Sequence, residues 1–135
     1  MSINATKLAR QTIRELLELG ICDFVISPGS RNAPLTMAIF EAAQAGLADL
    51  HTRLDERGAG FYALGVAKAT GNYVVVICTS GTAVANYHPS ALEAYHSDVN
   101  VLFLTADRPE RLRNTGANQT TLQDGILAPV ETFDS

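Results

Sequence analysis

The residue with the clearest potential for chemistry is Glu56, a carboxylate that glycines 58 and 60 follow closely. Its segment, 54–60, lies where a strand is expected to give way to a helix. In an open α/β sheet, ligands bind in the turns after the carboxyl ends of the strands. A glutamate there, beside glycine backbone that a flat ligand can approach, could hydrogen-bond a ring nitrogen and move a proton. The alternative is structural, because the helix dipole alone favours glutamate in a first turn.

Arginines form the second group of candidates. The chain has 135 residues and a formal net charge of −4, and eight of its ten basic residues are arginine. Arginine binds carboxylates and phosphates through two parallel N–H groups, so arginine-rich loops favour small anionic ligands, with solvated surface arginine as the alternative. The arginines in or beside predicted loops are Arg31, Arg53, Arg57, Arg108, Arg111 and Arg113. The negative net charge argues against a nucleic-acid surface.

The segments that must position these residues alternate between helix and strand. Apolar periodicity predicts helices over 4–19, 34–45, 56–69 and 83–95, with a short one over 120–127. Apolar runs predict strands over 22–26, 48–53, 73–79 and 100–105. We expect Pro89 to break or kink the fourth helix. The alternation predicts an α/β fold with a doubly wound, mainly parallel sheet and helices on both faces.

The cysteines and the apolar segments also bear on the cellular compartment of the protein. The first helix is expected to be capped by Asn4 and to bury Leu8 with its other apolar residues. Both cysteines, Cys22 and Cys78, lie in apolar runs and are predicted to be buried thiols of a reducing compartment. No apolar run approaches the length of a membrane span, and the N-terminus lacks a signal-sequence core. We therefore predict a cytoplasmic protein.

Two nucleotide-binding motifs can be set aside. The segment 58–63 fits a dinucleotide fingerprint, but that fingerprint also needs an acidic residue about twenty positions later, and residues 77–81 contain none. No phosphate-binding loop of the Walker type occurs in the sequence.

Four motifs follow one another in order along nearly the whole chain, each in a predicted turn after a strand. They are Ser27-Pro28-Gly29-Ser30-Arg31, Asp55-Glu56-Arg57-Gly58, Thr79-Ser80-Gly81-Thr82-Ala83-Val84-Ala85-Asn86, and Thr105-Ala106-Asp107-Arg108-Pro109 with Gly116-Ala117-Asn118-Gln119. In these motifs the chain resembles the N-terminal, pyrimidine-binding domain of thiamine diphosphate-dependent enzymes. The third motif is similar to a branch of that family that acts in menaquinone biosynthesis.

The resemblance implies a role for each motif. Glu56 would be the catalytic residue, hydrogen-bonding the pyrimidine nitrogen of the cofactor. The residues expected to shape the turn that holds the pyrimidine ring are Thr79, Ser80, Gly81 and Thr82. The residues expected to bind substrate are Ser30, Arg31, Arg108, Asn118 and Gln119. For each of them a loop-structuring role is the alternative, such as an ion pair between Arg108 and Asp107 or Glu110.

The resemblance also implies a reaction and an assembly. The implied substrates are 2-oxoglutarate, which would be decarboxylated, and isochorismate, which would accept the succinyl group. The implied cofactors are thiamine diphosphate and Mg²⁺ or Mn²⁺, in a homodimer or homotetramer. The family holds the diphosphate and metal with a Gly-Asp-Gly motif of a separate C-terminal domain, and this sequence has no Gly-Asp-Gly. Residues 1–135 are thus expected to be a single pyrimidine-binding domain, a fragment of a longer chain and inactive alone.

Two other functions stay open from the sequence. One is a different thiamine diphosphate-dependent 2-oxo acid decarboxylase or synthase, related to pyruvate oxidase or acetolactate synthase. The other is a non-catalytic α/β module that binds small anions.

Overall fold

A computed structural model describes residues 4–130. Its helices are α1 (Ala5–Glu18), α2 (Ala33–Gln44), α3 (Glu56–Thr70), α4 (Thr82–Ala85) and α5 (His88–His96). Its strands are β1 (Asp23–Ile26), β2 (Asp49–Thr52), β3 (Val74–Cys78) and β4 (Val101–Thr105), and a 3₁₀ turn covers Glu110–Leu112. Within residues 4–130, no helix combines the length and the apolar character needed to cross a membrane.

All four strands lie parallel in one sheet, in the order β2-β1-β3-β4. Asp23 of β1 is aligned with Asp49 of β2 on one side and with Val74 of β3 on the other. The chain therefore runs outward from β1 to β2 and returns past β1 to form β3, which places the topological switch point between β1 and β3. This arrangement confirms the predicted parallel, doubly wound sheet.

The sheet has a buried cluster on each face. One cluster joins α1 and α2 to the sheet; its buried members are Ile13, Leu16, Phe24, Ile26, Ala38, Ile39, Ala42, Val75 and Ile77. The other joins α3, α4 and α5; its buried members are Val25, Ala59, Ala63, Ala67, Val74, Val76, Cys78, Ala83, Val84, Tyr87, Ala91 and Leu127. Since alternate residues of a strand point to opposite faces, β3 supplies both clusters and is buried throughout, as its β-branched run predicts.

The helix ends follow the local sequence. The side chain of Asn4 accepts a hydrogen bond from the Thr6 N–H, which confirms the predicted cap of α1. Asp55 caps α3 in the same way through the Arg57 N–H, and so fixes where Glu56 enters the helix. Pro89 lies in the first turn of α5, so the predicted kink is a complete break between α4 and α5. A proline is tolerated there because first-turn N–H groups have no partner in the helix.

Three predictions were wrong. Leu8 is 51% exposed, because it lies about 100° around α1 from the buried Ala9. Cys22 is exposed, since it precedes the first residue of β1 and lies in the connection from α1. The segment 120–127 is not a helix: residues 120–123 have no regular structure, and residues 124–127 form turns. Its Gly125 has φ +73°, a left-handed conformation that interrupts a right-handed helix.

Candidate active site

The four motifs meet at one edge of the sheet. Because the strands are parallel, the turns that follow β1, β2, β3 and β4 all leave from the same, carboxyl edge. The turns after β1 and β3 flank the switch point, where open α/β sheets bind their ligands. The turn after β2 supplies Glu56, and the segment after β4 supplies residues 106–119.

Glu56 is the first residue of α3 and is partly buried. Among residues 4–130 its carboxylate makes no ion pair and no side-chain hydrogen bond. The charge of Glu56 affects Cys78, the last residue of β3. Burial raises the pKa of the Cys78 thiol to about 12, and the negative charge of Glu56 adds to that increase. Burial likewise raises the pKa of the Tyr87 phenol, with a smaller contribution from Glu56. The carboxylate is therefore close to the switch-point strands and without a partner in the described part of the chain.

The raised pKa of Cys78 makes the two cysteines react differently. At pH 8 a thiol with a pKa of about 12 is ionised roughly a thousandfold less than an ordinary cysteine, and Cys78 is also fully buried. We expect iodoacetamide to alkylate Cys22 in the folded protein and to leave Cys78 unmodified, as peptide mass mapping would show. In denaturant both should react. Comparable labelling of Cys78 in the folded protein would contradict its burial.

The two turns at the switch point are in direct contact through Gly29 and Thr79. A Cβ atom added at Gly29 would lie 2.5 Å from the Thr79 Cβ, so only glycine permits this approach. The Asn32 side chain shapes the first turn by donating to the Ser27 carbonyl at 2.9 Å. The Thr79 hydroxyl is buried there and has no hydrogen-bond partner within the described residues. The Ser27 hydroxyl is also buried, and its interaction with the Tyr87 phenol offsets part of the rise in the pKa of that phenol. The switch point thus holds a buried polar group that the described residues leave without a hydrogen-bond partner, a feature that calls for an explanation such as a ligand or an ordered water.

The turn after β3 is packed against Gln119. The Ser80 hydroxyl donates to the Gln119 carbonyl at 2.8 Å, and a Cβ at Gly81 would lie 2.8 Å from the same carbonyl group. Gln119 itself has φ +54°, which is uncommon for a residue other than glycine. Such conformations persist when surrounding contacts enforce them, and they cluster at ligand sites. The structure therefore joins the predicted cofactor turn to one predicted substrate residue.

Arg108 connects the start of the segment after β4 to Asn118, ten positions later. Its Nη2 donates to the Asn118 carbonyl at 2.6 Å, while its Nε is buried and has no partner among the described residues. The ion pair considered from the sequence, between Arg108 and Asp107 or Glu110, is not what forms. Asp107 instead pairs with Arg113, and also accepts from the backbone N–H of Arg108.

The other predicted residues lie at the same edge without joining this network. Ser30 and Arg31 are exposed in the turn after β1, and Thr82 is exposed at the start of α4. Within residues 4–130 neither Ser30 nor Arg31 hydrogen-bonds another candidate residue. The separate turns converge on one edge, but within residues 4–130 these side chains make no hydrogen bond or ion pair with the Gln119 loop.

Sequence reasoning missed the residues that hold the site together. Asn32 could have been found, because an asparagine before a proline-started helix is a common turn former. Gln123, whose side chain hydrogen-bonds the turns after β3 and β4, could not have been found, since a single glutamine in a polar segment fits a loop or a helix equally well. Tyr87 could not have been found either: only the fold buries it under the site, with its ring 5.5 Å from that of Phe103.

The chemistry of these groups suits one half of thiamine diphosphate. A partly buried carboxylate that has no partner among the described residues could hydrogen-bond a flat, nitrogen-bearing ring, and it lies at the same sheet edge as the buried, unpaired Thr79 hydroxyl. Within residues 4–130 no three side chains of the types that ligate metals come together.

Comparison with known proteins identifies relatives over most of the chain. Residues 6–127 match the family model described as thiamine pyrophosphate enzyme, N-terminal TPP binding domain. A protein of Nocardioides sp., named 2-succinyl-5-enolpyruvyl-6-hydroxy-3-cyclohexene-1-carboxylate synthase, is 57% identical over 94% of this chain and 24% of its own length. Proteins of the same name from Saccharopolyspora erythraea and Thermobifida fusca are 53% and 47% identical, over 86% and 96% of this chain and 21% and 23% of theirs. The chain thus spans about a quarter of the length of the curated relatives it matches.

Proposed function

This chain belongs to the thiamine pyrophosphate enzyme family as an N-terminal cofactor-binding domain, and we propose that it works within a 2-succinyl-5-enolpyruvyl-6-hydroxy-3-cyclohexene-1-carboxylate synthase of menaquinone biosynthesis. The observation that carries the proposal is the meeting of all four family motifs at one sheet edge, in a chain 57% identical to a relative of that name. The full-length protein would be a transferase that decarboxylates 2-oxoglutarate and transfers the succinyl group to isochorismate.

The substrates proposed are both polycarboxylates, and the edge of the sheet offers cations to bind them. Arg31 is exposed after β1, and Arg108 lies after β4 with an unpaired Nε. Arginine can grip a carboxylate with two N–H groups, so two arginines on either side of the switch point suit substrates with several carboxylates. Ser30, Asn118 and Gln119 would add neutral hydrogen-bonding groups around them.

Bound thiamine diphosphate would supply the carbon nucleophile and the electron sink that decarboxylation of a 2-oxo acid needs. Glu56, in its protonated form, would donate a hydrogen bond to the nitrogen of the pyrimidine ring, and so hold the proton that must move when the cofactor is activated. The turn from Thr79 to Thr82 would hold that ring against the end of β3. Tyr87 and Cys78 are fully buried at this end of the sheet and would help to exclude water from the protein side of the site.

The remaining requirements would be met outside this chain. The diphosphate and its Mg²⁺ or Mn²⁺ would be bound by a further domain of the full-length protein, a proposal supported by relatives that this chain covers to only about a quarter of their length. Residues 1–135 would then be one pyrimidine-binding domain. A homodimer or homotetramer would bring a pyrimidine-binding domain and a diphosphate-binding domain together, in the cytoplasm.

The proposal is tested with the full-length protein, thiamine diphosphate, Mg²⁺ and the two substrates. We expect loss of isochorismate and formation of its succinyl adduct, detected by mass spectrometry. Pyruvate in place of 2-oxoglutarate should react at least about a hundredfold more slowly, because it lacks the distal carboxylate that an arginine would bind. Preference for pyruvate would assign the protein to another branch of the family. Failure to bind the cofactor at all would favour an anion-binding module.

A further inference from the structure

The side chain of Gln123 links two turns at the carboxyl edge of the sheet. Its Oε1 accepts a hydrogen bond from the Gly81 N–H at 2.8 Å, and its Nε2 donates to the Ala106 carbonyl at 3.1 Å. Gly81 belongs to the turn after β3, and Ala106 is the first residue after β4. One partly buried amide therefore spans the two strands where their own hydrogen bonding stops.

The position of this amide explains why a glutamine is needed. The β3–β4 ladder ends at Cys78 and Thr105, and the Ala106 N–H makes one more bond, to the Cys78 carbonyl at 3.1 Å. Beyond that point the strands diverge, and the Gln123 amide offers one acceptor and one donor, as a peptide group would. Glutamate keeps the acceptor but has no donor for the Ala106 carbonyl, and methionine of similar size has neither hydrogen-bonding group.

The link also closes the segment that carries the substrate residues. Arg108 ties the beginning of this segment to Asn118, and Ser80 ties Gln119 to the turn after β3. Gln123 holds its far end against Gly81 and Ala106. Without Gln123, the hydrogen bond from the Ser80 hydroxyl to the Gln119 carbonyl would be the remaining side-chain bond between this segment and the turn after β3 within the described residues.

We propose that Gln123 is a positioning residue that keeps the substrate loop, residues 106–119, docked on the cofactor turn, residues 79–82. It acts through the Gly81 N–H and the Ala106 carbonyl and need not touch a ligand. The inference relies on the proposed function only for the identity of the two ligands. The docking itself is a property of the described residues.

Steady-state kinetics of the full-length enzyme test the role in catalysis. Each of the two hydrogen bonds is worth about a threefold to tenfold effect, so Gln123→Met should raise the KM for the substrates by about tenfold or more. The turnover number should change by less than about threefold, because Glu56 stays in place. Gln123→Glu should give an intermediate effect. The matched control is Gln44→Met, at an exposed position at the end of α2.

Hydrogen–deuterium exchange gives a readout that needs no activity. In Gln123→Met, exchange at the Gly81 amide should accelerate by about tenfold, and so should proteolysis by trypsin after Arg111 and Arg113. In Gln123→Glu the acceleration should be smaller. The amides of β3, Val74–Cys78, should keep their rates. If exchange accelerated at all amides alike in both variants, β3 included, Gln123 would have a merely structural role and the proposal would be overturned. A turnover number that falls with KM unchanged would overturn it too. Unchanged Gly81 exchange in Gln123→Met would overturn it as well.

The two proposals can fail separately. If the wild-type protein does not make the succinyl adduct, the proposed function is wrong, and the exchange rate at Gly81 still decides whether Gln123 docks the loop. If the wild-type enzyme is active and Gln123→Met matches Gln44→Met in KM and in exchange, only the role of Gln123 is wrong.

Discussion

Replacing Glu56 by glutamine in the full-length protein is expected to lower the turnover number by about 10²–10⁴-fold, the range for loss of a positioned acid–base group. Glutamine has nearly the same size, so the crevice at the carboxyl edge should keep its shape. It cannot hold the proton that Glu56 would hold when the cofactor is activated. Stability should change little, since the helix dipole's interaction with a first-turn carboxylate is worth only about 0.3–1 kcal/mol.

The matched control for Glu56→Gln is Asp55→Asn, one position earlier. Asp55 is exposed and caps α3 through the Arg57 N–H, and asparagine caps a helix as well as aspartate does. Both variants remove one negative charge from the same helix end. We expect Asp55→Asn to keep most of the turnover, which would show that the position of the carboxylate matters. Equal losses in the two variants, or full activity of Glu56→Gln, would mean that Glu56 only stabilises the helix.

Replacing Gly81 by alanine is expected to destabilise the chain by about 2–4 kcal/mol, because two separate costs combine. Its backbone angles, φ +82° and ψ −136°, are ones that only glycine adopts readily. A Cβ there would also lie 2.8 Å from the carbonyl carbon and oxygen of Gln119, and backbone atoms cannot rotate away as a side chain can. Urea unfolding of the 135-residue chain, followed by circular dichroism, measures the change.

The control for Gly81→Ala is Gly65→Ala, within α3. A Cβ at Gly65 would have no atom within 4 Å, and alanine is a better helix former than glycine. This variant should be stabilised by about 0.5–1 kcal/mol. If both substitutions changed stability alike, the close contact between Gly81 and Gln119 would be wrong. In the full-length enzyme, Gly81→Ala should also raise the KM for substrate, because the Gln119 loop must move.

The sequence predicts the elements whose determinants are local. The β-branched run of β3 needs both of its faces covered in any fold that contains it. Pro89 cannot lie in the interior of a helix, whatever the fold around it. The parallel, doubly wound sheet follows from four strand–helix alternations. The convergence of the four motifs on one edge then follows from topology, which is why the candidate site could be located before any coordinates.

The sequence does not predict local structure correctly where a contact with a distant residue decides between two local conformations. Leu122, Ile126 and Leu127 have helical spacing, but Gly125 and the long-range bonds of Gln123 hold that segment in a conformation that is not helical. The left-handed backbone of Gln119 is enforced by Ser80, thirty-nine positions earlier in the chain. Arg108 has an acid on each side at short range, yet it bonds the Asn118 carbonyl. Such choices depend on which turns the fold brings together, and one sequence does not contain that information.

The parallel register has a consequence for how the chain acquires its structure during synthesis. Asp23 pairs with Asp49 and with Val74, so each pairing must close a long loop and no hairpin is available to start the sheet. Sheets of this kind fold slowly and expose strand edges while they do so. The hydrogen-bonding edge of β1 that pairs with β3 stays open until β3 has emerged from the ribosome. The edge of the sheet that carries Glu56 is completed only when the segment around Gln123 arrives. A nascent chain paused before that point would be a natural client for chaperones.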